Sequence, residues 1–202
     1  MSCTQFTIFG TNYRSGSYIL LIHLYSSLQL AFGRFQQGKL FTLPVGDYLY
    51  IGSALGGEKA GAPLARRLIR HASRSESQNP HAIRSAMMRL FQEEDYTENK
   101  ITEPSEKKIR WHIDYLLDRK EAEIDHVVII RNPLRVEQML SELLEPLPEI
   151  SLIAQRLGAQ DTRNSTHLLR ITDREHILEL LRQSLPGMVS DAWSDESAPA
   201  HH

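Results

Sequence analysis

The protein is a chain of 202 residues, 41% hydrophobic and 24% charged, with a formal net charge of -2 and one cysteine. That length and apolar content suit one domain with a sizeable core and exclude a mostly disordered chain. The lone Cys3 excludes a disulfide scaffold and a cysteine-built metal cluster.

Residues 1–15 read as a polar leader without the charged, apolar and cleavable pattern of a secretory signal. No apolar run reaches the ~18 residues of a membrane span, so a cytoplasmic protein with no membrane partner is the expectation. Residues 17–25 read as a buried strand, followed by a strand over 28–35 and another starting near Leu40. Residues 46–52 read as a further strand, bounded by glycines. Closely spaced short strands imply hairpins. Pro63 is placed to open a helix from residue 64 to about 73. Residues 75–106 read as an acidic insertion, partly helical and partly mobile, with an amphipathic piece at 83–91. A helix over 108–119 carries an apolar stripe of Ile109, Ile113, Leu116 and Leu117. Residues 126–130 read as a β-branched strand, and Asn132-Pro133 turns the chain into a helix through 136–144. Asp173 can cap a last helix over 173–186, leaving 187–202 as a disordered tail. The expected fold is α/β: a small antiparallel or mixed β-sheet flanked by helices, with residues 16–172 forming the domain.

Three features carry the chemistry. Gly16-Ser17-Tyr18 opens one strand, and Tyr50-Ile51-Gly52-Ser53-Ala54 closes another. Arg67 and His71 lie four apart on one helix face and can reach a common point. Glu137 stands at the start of a helix that follows a strand. At about 100° per residue it falls at the edge of the face defined by Val136, Met139, Leu140, Leu143 and Leu144, where a carboxylate can look into a cleft.

Together these resemble the GIY-YIG nuclease superfamily. Tyr50-Ile51-Gly52 is its second signature as it stands, and Gly16-Ser17-Tyr18 is similar to the first with Ser in place of Ile. More closely, residues 16–170 resemble a branch of unknown function, sometimes fused to an endonuclease-III-type DNA glycosylase. The branch motifs read here as Gly52-Ser53-Ala54, Arg67-Leu68-Ile69-Arg70-His71 and Trp111-His112-Ile113-Asp114-Tyr115-Leu116, with Thr166-His167-Leu168 as a late counterpart. The cysteines of the late motif are absent, and Asn164 stands where the superfamily has a late asparagine.

The resemblance implies a metal-dependent endonuclease that hydrolyses phosphodiester bonds in DNA, or RNA. Glu137 would hold Mg²⁺ or Mn²⁺, an ion that keeps several waters and needs few protein carboxylates. Tyr50 would act as base or orient the water, with Tyr18 supporting it. Arg67 would clamp the phosphate in bidentate fashion. His71 and His112 complete the expected catalytic group, while Arg66, Arg70, Lys108, Arg110 and Trp111 would contact nucleic acid. His112 and Asp114 lie about 200° apart on their helix, so His112 is read towards the site and Asp114 as the partner of an arginine.

The small net charge fits such a partner, because it hides an asymmetry. Residues 64–89 carry six arginines against Glu76, a net of +5, while 90–106 carry six acids against Lys100, a net of -5. The basic block contains Arg67 and His71, and Lys107, Lys108 and Arg110 lead into Trp111, so attraction for phosphate is local. The acidic block reads as a shield that nucleic acid displaces. Plainer readings stay open: the tyrosines as strand aromatics, Arg67 and His71 as a solvated face, Glu137 as a dipole-favoured first-turn residue, and Trp111 and Tyr115 as packing residues rather than a stacking platform. A non-catalytic nucleic-acid-binding module and a protein-interaction domain are the alternative functions.

Overall fold

The computed structural model of the protein describes residues 5–10, 13–56, 61–93, 107–158 and 166–196. In chain order the strands are β1 (Phe6–Phe9), β2 (Gly16–Leu24), β3 (Leu28–Ala31), β4 (Leu40–Leu43), β5 (Gly46–Ala54), β6 (Ala122–Ile130), β7 (Ile150–Leu152) and β8 (Leu168–Ile171). The helices are α1 (Pro63–His71), α2 (Arg84–Glu93), α3 (His112–Leu117), α4 (Glu137–Leu144) and α5 (Arg174–Glu196). Six strands form one sheet in the order β1-β6-β2-β5-β8-β7, and β3 and β4 pair as a separate hairpin. β1 runs parallel to β6 and every other pair in the large sheet is antiparallel, so the sheet is mixed and the α/β expectation holds.

β2 sits in the middle of the sheet, which explains its unbroken apolar run: a strand covered on both faces has no solvent side to mark with polar residues. Successive side chains point to opposite faces. Tyr18, Leu20, Ile22 and Leu24 enter a core completed by Leu64 and Leu68 of α1, Met87 and Phe91 of α2, Ile113 and Leu116 of α3 and the hairpin. Ile19 and Leu21 enter the opposite core, built with Leu140 and Leu144 of α4 and Ile177, Leu181 and Leu185 of α5. Full burial of each such side chain contributes ~1.5–3 kcal/mol.

Several boundaries differ from the sequence reading. The leader contains β1, whose register Phe6↔Val127 to Phe9↔Ile130 depends on a partner more than a hundred residues away in the chain. The second strand stops at Ala31, and β6 begins at Ala122, four residues earlier than expected. The 108–119 helix contracts to α3, because Trp111 is its N-cap in extended geometry. The first part of the supposed insertion is core, with His81, Ile83, Met87 and Phe91 buried; its acidic remainder, 94–106, lies outside the described residues, as does Asn164. The last helix runs through Pro186 to Glu196, where a tail was expected. A proline removes its own N–H from the helix ladder, but the residues after it can still form theirs. No helix among the described residues is long and apolar enough to cross a membrane.

Gly16 marks the closest strand approach: a Cβ built there would stand 1.9 Å from the Ile130 carbonyl oxygen. Gly16→Ala should therefore lower stability by at least about 2 kcal/mol, read from the urea midpoint. Gly187, inside α5 with nothing within 4 Å of its Cβ position, should give the opposite result. Gly187→Ala should gain ~0.5–1 kcal/mol from helix propensity. A Gly16→Ala midpoint equal to wild type would contradict the β2–β6 register.

Candidate functional site

The site lies at the end of the sheet where β2 starts and β5 and β6 finish, as the pairs Gly16↔Ala54 and Ser17↔Ile130 define. Tyr18 stands opposite Gly52, and Leu20 opposite Tyr50, so the two tyrosines are diagonal neighbours on one face. Their ring centroids are 6.4 Å apart. Gly52 is needed for this: a Cβ there would lie 2.5 Å from the Tyr18 hydroxyl oxygen and ring. The glycine of each signature thus has a packing reason.

α1 turns Arg67 and His71 towards these tyrosines. His71 is fully buried, and the Tyr18 hydroxyl lies 2.8 Å from its Nε2. On the other side of the ring, Nδ1 lies 3.5 Å from Asp114 Oδ1, and both side chains are fully buried. Burial drives the imidazole down to about 4, against the opposing pull of Asp114, so the ring is neutral near pH 7. A neutral ring has one N–H; with the carboxylate beside Nδ1, that nitrogen carries it and Nε2 accepts from Tyr18. Tyr18 is suited to donate, since burial first and Tyr50 second push its phenol well above the ordinary value, with Arg67 opposing.

Asp114 is the hub of the cluster. Arg70 donates to it in bidentate fashion at 3.0 and 2.9 Å, and the backbone N–H groups of Arg110 and Trp111 donate to Oδ2 at 2.8 and 2.9 Å. Burial alone would raise this carboxyl, but neighbouring His71 and Arg70 outweigh it and hold it well below the carboxylate range. Arg70 also donates to the Lys108 carbonyl. The Arg67 and Arg70 guanidinium carbons lie 3.9 and 4.2 Å from the Trp111 ring centroid, with Arg110 at 5.1 Å, so the indole is a platform for arginines.

Above this layer is a cavity of about 300 Å³ lined by Tyr50, Ser53, Ala54, Leu55, Gly56, Arg67, Arg110, Trp111, Arg135, Glu137, Gly158 and His167. A second space of about 310 Å³, lined by Arg14, Ser15, Gly61, Pro63 and Pro133, shares Leu55 and Gly56 with it. Tyr50, Arg67, Arg110, Trp111 and Glu137 therefore converge on one cavity, while Tyr18, His71 and Arg70 support it from below. The other three expected site residues neither line it nor belong to that supporting group. His112 packs on Phe35 at 5.2 Å and accepts the Gly158 N–H at 3.3 Å, because α3 turns it towards the β3–β4 side. Lys108 is exposed away from the cavity. Arg66 is also exposed, its guanidinium 3.0 Å from the Gly61 Cβ position, beside the second space.

Two ionisable lining side chains were not assigned roles from sequence. His167 belongs to the late motif, which was its only signal. Arg135 precedes Glu137 by two residues, and its Nη1 lies 3.6 Å from Glu137 Oε2. Glu137 opens α4, where the helix dipole favours a carboxylate, and it is nearly buried. A group of three or more potential metal-ligating side chains is absent among the described residues. The Glu137 carboxylate on the cavity wall is the kind of donor that a hard cation keeping most of its waters can use.

Residues 17–190 match the domain of unknown function DUF123, and the chain belongs to that family. No curated protein and no solved structure matches it.

The buried histidine fixes an acid response. Its ordinary value of 6.5 applies unfolded and about 4 applies folded, so the unfolded chain takes up the proton first as pH falls. Stability should be complete above pH 6.5 and should decline towards pH 4 by up to about 3 kcal/mol. Burial also lowers His81, which acts in the same direction. Urea unfolding across that range should show a shallower decline in His71→Gln; an identical slope would contradict a neutral, buried His71.

Proposed function

We propose that this DUF123 domain is a GIY-YIG-type, divalent-metal-dependent endonuclease that hydrolyses phosphodiester bonds in DNA. The observation that carries this reading is the convergence of Tyr50, Arg67 and Glu137 on one cavity. Those residues come from a strand and two helices far apart in sequence, and their types are what phosphoryl transfer needs: a proton acceptor, a phosphate clamp and a cation ligand.

Glu137 would hold Mg²⁺ or Mn²⁺, which supplies charge stabilisation on the phosphoryl oxygens and a more acidic water. Arg67, set against Trp111, presents its guanidinium to two phosphate oxygens. Tyr50, as a phenolate, would orient the attacking water and take its proton as the new P–O bond forms and the bond to the leaving oxygen breaks, with solvent supplying the proton to the leaving oxygen. Tyr18, held by its bond to His71 and through it by Asp114, packs beside Tyr50 and fixes it. Arg110 extends the positive wall along the nucleic-acid backbone. Recognition of this kind reads phosphates rather than bases.

A binding module without catalysis is the second reading, and Arg135 favours it, since the Glu137 carboxylate already has a cationic neighbour. The protein-interaction reading rests on the acidic segment 94–106, outside the described residues.

Incubation with a mixed panel of single-stranded, duplex and branched DNA, plus RNA, in Mg²⁺ or Mn²⁺ tests the reading. Cleavage of a DNA substrate should fall by about 10²–10³-fold or more in Glu137→Ala and Tyr50→Phe. Undiminished cleavage in Glu137→Ala would overturn the metal assignment. Affinity should fall steeply with salt, and Arg67→Ala should reduce the log–log slope by about one. Binding that persists without any cleavage would favour the module.

A further inference from the structure

Arg135 and Glu137 flank Val136, which is buried at the start of α4. The backbone carrying them is pinned: Asn132 Oδ1 accepts the Leu134 N–H at 2.8 Å, and Arg131 Nε donates to the Tyr13 carbonyl at 2.7 Å. The Arg135 side chain is the more accessible of the two, with 51% exposure against 8% for Glu137. Their 3.6 Å separation is an ion pair too long for a good hydrogen bond. The other arginines lining the cavity, Arg67 and Arg110, lie against Trp111. Arg135 thus combines a half-exposed side chain, a carboxylate partner 3.6 Å away and a place on the cavity wall.

We propose that Arg135 exchanges partners. In the free protein it neutralises Glu137; when a divalent cation takes that carboxylate, the guanidinium moves to a phosphate of the nucleic acid. This rests on the nuclease reading above. Two cations compete for one carboxylate, so Arg135 lowers the metal affinity of the free protein. A phosphate in the cavity offers the displaced guanidinium a bidentate acceptor, which removes that competition. Metal and nucleic acid then bind cooperatively, each raising the affinity of the other by the same factor.

The test uses the full chain carrying Tyr50→Phe to suppress cleavage. Mn²⁺ binding is followed by loss of the free-ion paramagnetic resonance signal, with and without a short DNA oligonucleotide. DNA should tighten Mn²⁺ binding by about fivefold or more, a typical coupling between linked sites. Adding Arg135→Gln should tighten Mn²⁺ binding to the free protein by a similar factor and shrink the effect of DNA. Arg135→Lys should restore the competition, which separates charge from any change in packing. Unchanged or weaker Mn²⁺ binding in Arg135→Gln overturns the exchange. An undiminished DNA effect in that variant overturns it as well. Mn²⁺ binding that is equal with and without Glu137→Gln instead overturns the metal assignment, and the exchange with it.

Discussion

The Asp114 carboxylate is the interaction on which the site depends. It is fully buried, and a buried charge is tolerable only when paired and hydrogen-bonded on all sides. Two N–H groups of Arg70, two backbone N–H groups of the α3 entry and the His71 ring surround it. Each of those partners has a second task. Arg70 and the α3 entry position Trp111, against which Arg67 lies, and His71 holds Tyr18. One carboxylate therefore ties α1, α3 and β2 into a single arrangement, and the cavity wall inherits its rigidity. Networks of this kind gain from low local dielectric only while every member is satisfied.

The sheet supplies the other constraint. Tyr18 and Tyr50 project to the α1 face, while α4 packs on the opposite face through Leu140 and Leu144. Glu137 still reaches the same cavity, because α4 follows β6 closely and the cavity lies at that end of the sheet. The site is thus assembled at the strand ends, where both layers are accessible, and not within either core. Strand alternation and the two signature glycines then settle the fine placement: Gly52 admits the Tyr18 ring, and Gly16 allows the β2–β6 contact.

The arginine-rich segment shows how the tertiary structure redistributes charge. Arg70 is committed to Asp114, and Arg74 is bound to Glu123, the Ala122 carbonyl and the Asn79 carbonyl. Lys107 is buried, donating to the Ser73 carbonyl near Asp118. Burial lowers that ammonium to about 8, with Asp114 opposing. Of the basic block, Arg67 remains on the cavity wall, joined by Arg110 and by Arg135 from elsewhere. A charge run in sequence gives the composition of a surface, whereas pairing decides which members face a ligand.

Much of the molecule was legible before folding. The paired glycine–tyrosine signatures, the four-residue spacing of Arg67 and His71 and the edge position of Glu137 all depend on local periodicity, which strand and helix geometry translate directly into direction. The angular argument separated Asp114 from His112, and the reading of Asp114 as an arginine partner agrees with its bonds to Arg70. His112 did not go to the cavity, because its helix begins later and rolls it onto Phe35. β1 was hidden, since a short strand takes its identity from a distant partner such as Val127; the amphipathic piece at 83–91 was legible, but its place in the core rather than in an insertion was not. The places of Arg135 and His167 on the cavity wall likewise needed three dimensions. Sequence alone determined which side chains can share a face; only the tertiary structure decided which faces meet, because long-range contacts and desolvation set that choice and local geometry does not.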